Sequence, residues 1–122
     1  MTTRDDVDAI NNEYAQALAD RDVDRMIGLD THDARLCFSD TPMLQGHQAV
    51  AAVYDKALKD GPITIKFDSV DVFEDGDLVV DVGHYATPTE QGKYVVVFQR
   101  QHDGALKILV EADITDGLRR LG

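Results

Sequence analysis

The 122-residue chain carries 23 Asp and Glu against 12 Lys and Arg, a formal net charge of −11, with 43% hydrophobic and 29% charged residues. That length and balance suit one folded domain over residues 1–122, large enough to bury a core and too small for a second. The acidity excludes a nucleic-acid or anionic-lipid surface, because neutralising phosphates takes clustered Lys and Arg, and the densest basic pair is Arg119-Arg120 at the C-terminus.

The single Cys37 has no intramolecular partner, the first residues hold no apolar leader, and no stretch reaches membrane-spanning length. A cytoplasmic protein is expected. Val7, Ile10, Tyr14, Ala17 and Leu18 recur at helical spacing, which predicts a first helix from about Arg4 to Ala19 with Thr3 and Asp6 as its capping box. Asp22 caps a short second helix carrying Val23, Met26 and Ile27, and the chain then turns at Asp30-Thr31-His32-Asp33. Ala34 to Asp40 reads as a strand. A third helix begins near His47, carries Val50, Val53, Tyr54, Ala57 and Leu58 on one stripe, and stops at Gly61-Pro62.

Beyond Pro62 the hydrophobic period changes to two, and four strands are predicted: Ile63 to Phe73, Leu78 to Tyr85, Lys93 to Gln101 and Leu106 to Thr115. The turns between them carry ordinary hairpin chemistry, so consecutive strands should pair antiparallel. In the first of them the apolar positions Ile63, Ile65 and Phe67 change phase to Val70 and Val72, as a bulge that bends a sheet would require. The predicted class is α+β, with three N-terminal helices packed on a curved, mostly antiparallel sheet.

The order of elements resembles the NTF2-like cone fold. Tyr14-Ala15 with Leu18, Asp22-Val23-Asp24, His32-Asp33-Ala34 and Gly46 resemble that superfamily's N-terminal half. Gly92-Lys93-Tyr94-Val95-Val96-Val97, Asp103-Gly104 with Lys107-Ile108, and Thr115-Asp116 resemble its SnoaL-like and DUF4440 branch. The resemblance implies a pocket between helices and sheet and a homodimer paired through the outer sheet face. It covers enzymes, including ketosteroid isomerase, and non-catalytic binding or association modules, so fold alone does not choose between them.

Motifs for nucleotides or structural zinc are missing: the chain has no Gly-rich phosphate loop, no Cys-x-x-Cys and no His-Glu-x-x-His. Asp20, Asp22 and Asp24 mimic the start of a calcium loop, but Arg25 stands where Gly is required and Thr31 where the last carboxylate belongs. No metal and no cofactor are expected. Three residues are the candidate catalytic groups. His84 follows Leu78, Val80 and Val82 in alternation, which would bury it as a neutral proton acceptor. Asp40 shares a strand face with Ala34, Leu36 and Phe38, or else starts a turn with Thr41 and Pro42. Tyr14 matches the position of the oxyanion-hole tyrosine of ketosteroid isomerase, while the region of that enzyme's partner acid holds Val96, Phe98 and Arg100 here.

Phe38, Met43, Tyr54, Phe67, Tyr94, Val96 and Phe98 are the expected pocket lining, suited to a small apolar organic ligand. Glu111 and Asp113 depend on which face of the last strand turns inward. If the Leu106 face does, both acids lie outside. In the other orientation Glu111 enters the pocket and can pair with Arg100. The function expected is acid-base chemistry such as isomerisation, dehydration, cyclisation or hydrolysis, or else non-catalytic ligand binding or association.

Overall fold

A computed structural model of the chain describes residues 2–118, and the Arg119-Arg120 pair lies outside them. The elements run α1 (Thr3–Ala19), α2 (Val23–Ile27), β1 (Asp30–Phe38), β2 (Leu44–Gln45), α3 (His47–Ala57), β3 (Lys66–Asp75), β4 (Leu78–Ala86), β5 (Glu90–Arg100) and β6 (Leu106–Leu118). One six-stranded sheet has the order β2-β1-β6-β5-β4-β3; β1 and β6 are parallel and every other pair is antiparallel.

The helices follow their apolar stripes. Val7, Ile10, Tyr14, Ala17 and Leu18 are the buried residues of α1, and Val50 and Tyr54 those of α3. The capping box of α1 falls one residue earlier than predicted: Thr2 Oγ1 accepts from Asp5 N at 3.1 Å, and Asp5 Oδ2 from Thr2 N at 2.9 Å. Asp22 caps α2 by accepting from Arg25 N at 3.1 Å, and Asp20 pairs with the Arg25 guanidinium at 3.0 Å. The spaced aspartates are thus helix-end chemistry.

Of the register shifts in the sheet, two decide which side chains face the helices. In β3 the pairing with β4 shifts between Ser69 and Asp71, leaving Val70 as the extra residue, where the change of phase predicted it. In β6 it shifts between Ile108 and Val110, opposite Phe98 and Val97, so Leu109 is the extra residue. Leu106 and Ile108 therefore face the helices, and beyond the bulge Glu111 does so too. Neither orientation predicted for β6 holds along its whole length. Arg100 is engaged elsewhere, by Asp6 and Glu74 at 3.4 Å each and by the Gly104 carbonyl at 2.9 Å.

Other boundaries also differ from the sequence reading. β1 begins at Asp30, inside the predicted turn, because its start lies beside β6 and Ile108 N donates to Leu29 O at 2.8 Å. It ends at Phe38, before Asp40, which is exposed in the following turn with φ 61°. β3 begins at Lys66 instead of Ile63. Among the described residues no helix is long and apolar enough to cross a membrane.

Candidate active site

The sheet curls around a cavity of about 570 Å³. Its inner wall is Tyr14 and Leu18 of α1 with Phe67 of β3; α3 supplies Val53, Tyr54 and Ala57; the mouth is formed by Phe38, the Pro62 to Ile65 segment and the β4–β5 turn. Phe38, Tyr54, Tyr14 and Phe67 form a chain of edge-to-face contacts, with ring centroids 6.5, 6.2 and 5.5 Å apart in that order. The carboxyls in this wall stand at two places, Asp113 on β6 and Glu90, in a group with Tyr85 and Thr115 near the β4–β5 turn.

Behind Asp113 lies a buried array of acids and phenols. Tyr14 and Tyr54 hydroxyls are hydrogen bonded to each other, and Tyr14 donates to Glu111 Oε2 at 3.2 Å. With Tyr14 donating to Glu111, the Tyr14–Tyr54 bond is donated by Tyr54. Glu111 is 5% exposed and lies two residues from Asp113 on β6, where the two carboxyls interact. Burial pushes the Glu111 carboxyl well above the usual range, and the neighbouring charges of Asp113 and Asp30 add to the push. Asp113 rises less, to about 6, because the interaction with Glu111 partly offsets its own desolvation. Of the pair, Glu111 is the more deeply buried and the more strongly raised, so it is the one that holds a proton more tightly, and Asp113 is the member that faces the cavity. Burial, above all, raises both tyrosines, so both phenols stay protonated.

Asp30, 4% exposed at the start of β1, adds a third buried acid. Burial raises it to about 7, and Lys107 only partly counters this. A separate polar group sits deeper under α1: Asp81 Oδ2 accepts from Asn11 Nδ2 and from the Tyr94 hydroxyl, both at 3.0 Å, while its buried Oδ1 has no partner.

The sequence candidates distribute as follows. Tyr14, Tyr54, Phe38 and Phe67 line the cavity. Tyr94, Val96 and Phe98 are buried on the inner face but border only a closed space of about 10 Å³ between α1 and the sheet. Met43 is 62% exposed and lies outside the cavity, in the turn before β2. Asp40 is also outside, because β1 stops short of it. His84 is exposed on the outer face, since the inward residues of β4 are Val79, Asp81, Gly83 and Tyr85. The aliphatics that seemed to bury His84 belong to an outer face that is itself apolar. Conversely, the acid partner of Tyr14 comes from β6 and not from β5: Glu111 is the cross-strand neighbour of Val96.

A helix-covered, strongly curved sheet enclosing a cavity defines the NTF2-like class. A profile of the SnoaL-like domain matches residues 12–108, and the chain belongs to that family. No curated protein matches it in sequence. Solved structures share the fold at low identity. LinA superposes with TM-score 0.83 at 14% identity, covering 98% of this chain and 90% of its own. An NTF2-like protein with a cystatin-like fold from Novosphingobium aromaticivorans gives 0.79 at 16%, covering 93% and 82%. A ketosteroid isomerase-like protein from Erwinia carotovora atroseptica gives 0.77 at 13%, covering 90% and 93%.

Proposed function

We propose that the chain is an enzyme that moves protons on a small, largely apolar organic molecule held in the 570 Å³ cavity. The observation that carries this is the Tyr54–Tyr14–Glu111–Asp113 array, whose cavity-facing end pairs a carboxylate with two phenols. Asp113 accepts a proton from the bound molecule, its raised basicity matching the task near neutral pH. When substrate binds, Tyr14 turns its hydroxyl proton from Glu111 to the charge developing on a substrate oxygen, while Tyr54 goes on donating to Tyr14. Glu111, whose neutral form burial favours, supports Tyr14 from behind. An isomerase that enolises its substrate uses the same combination, a tyrosine and a carboxylic acid held protonated by apolar surroundings. Isomerisation, dehydration, cyclisation and hydrolysis all fit these groups, which supply the acid and the base from side chains.

The test is solvent deuterium uptake at the α-carbon of small cyclic ketones and enones, followed by NMR. Wild-type protein should accelerate exchange for at least one of them. Asp113→Asn should lower that rate by about 100-fold or more, and Tyr14→Phe by a comparable factor, with thermal midpoints little changed. If ketones bind and no exchange is accelerated, the site is a ligand-binding pocket and the catalytic reading falls.

We also propose a homodimer through the outer sheet face and a cytoplasmic location. The first is supported by the apolar columns on that face, in which Val95 and Ile114 are well exposed. The second is supported by the free, half-buried Cys37.

A further inference from the structure

Among the described residues lining the cavity, two are acids, Glu90 and Asp113, and none is Lys, Arg or His. The two acids lie at different depths: Asp113 beside Tyr14, and Glu90 on the β4–β5 turn side, where its Oε1 accepts from Tyr85 Oη at 3.3 Å. Tyr85 in turn shares a hydrogen bond with Thr115 Oγ1 at 3.0 Å, which fixes the ring against the strand end. Gly92, the cross-strand partner of Tyr85, gives the ring its place: a Cβ there would lie 2.7 Å from Tyr85 Cε1. Glu90 is thus a half-buried carboxylate held on the cavity wall by a positioned phenol, near enough for its charge to help raise Asp113.

We propose that Glu90 is a specificity-determining residue that selects substrates bearing an ammonium group, so that the molecule handled is a small apolar amine. The inference rests on the acid-base reading of the same cavity and adds the chemical class of its substrate. An ammonium substituent directed at Glu90 gains a charge-assisted hydrogen bond. It also meets a wall built from Tyr14, Phe38, Tyr54, Phe67 and Tyr85, whose ring faces attract cations. An anionic substituent meets the reverse: Glu90 and Asp113 both repel it, and no cation in the lining compensates. A neutral alcohol gains the hydrogen bond alone. The net charge of −11 acts in the same direction at long range, raising the encounter rate with cations. The ligand's apolar body lies between, against Val53, Ala57, Ile63 and Ile65.

Three probes of one size separate these terms: naphthylmethylammonium, naphthylmethanol and naphthoate, titrated at pH 7.5 with protein chemical shifts as the readout. The expected order is ammonium tightest, alcohol intermediate and carboxylate weakest, with at least about tenfold between the extremes. Glu90→Gln should reduce that ammonium-over-carboxylate ratio about tenfold, and Ile65→Trp, which fills the cavity, should weaken all three. If the three probes bind equally, if the carboxylate binds best, or if Glu90→Gln leaves the ratio unchanged, the amine inference is overturned and the cavity reading stands. If none of the probes binds and Ile65→Trp changes nothing, both fall.

Discussion

Asp113 combines a cavity-facing position with a raised pKa of about 6, and both follow from its neighbours. As the proton acceptor it must be ionised, so proton-transfer activity should rise with pH through about 6 and level off above it, an expectation checked by the pH dependence of deuterium exchange. Asp30 makes a separate prediction about stability. Its carboxyl titrates near 3.8 unfolded and near 7 folded, so between those values the folded state binds more protons, and its contribution to stability declines as pH rises. Asp30→Asn should therefore raise stability at pH 8 by on the order of 1–3 kcal/mol and do much less at pH 4, measured by urea unfolding at both. Tyr14 was legible at this scale because helical spacing alone puts it on the buried stripe of α1. Glu111 was not, since Ile108, Leu109 and Val110 are three aliphatics in a row and hide the residue at which β6 changes face. His84 was misplaced for a related reason. In β4 the outer face is aliphatic and the inner one carries Asp81 and Gly83, so alternation of hydrophobicity gave the opposite orientation.

At the scale of elements, the sheet is shaped by where its strands lose a side chain or gain a residue. Gly83 lies opposite Tyr94, and a Cβ there would come within 2.3 Å of the Asp68 carbonyl and 2.6 Å of Tyr94 Oη. The missing side chain lets the Tyr94 hydroxyl lie flat against β4 and reach Asp81. Gly83→Ala should cost about 1–3 kcal/mol through overpacking, read as a lowered urea midpoint at unchanged slope. Chain order, the change of period after Pro62 and the β3 bulge were all legible, because a phase shift between apolar positions is written directly in the residues. β2 was not, since two residues show no period. The start of β1 was hidden because Asp30 to Asp33 has turn composition, and only the pairing with β6 makes it a strand.

For the whole molecule, the charge that first excluded nucleic acid spreads over helix ends and turns, and the outer sheet face stays free of it at its centre. There Val82, Val95 and Ala112 form one row, with Val80, Val97 and Val110 beside it. If this face joins two copies, Val95→Asp should convert a dimer into a folded monomer in sedimentation experiments; a monomeric wild type would remove the dimer from the account. The central claim is that one proton is held between Glu111 and Asp113 behind Tyr14, and side-chain carboxyl carbon NMR through a pH titration tests it most directly. Asp113 should ionise near 6 and Glu111 at a higher pH than Asp113, and Tyr14→Phe should perturb the Glu111 carboxyl signal. Two carboxyls that both ionise near pH 4, as exposed ones do, would contradict it.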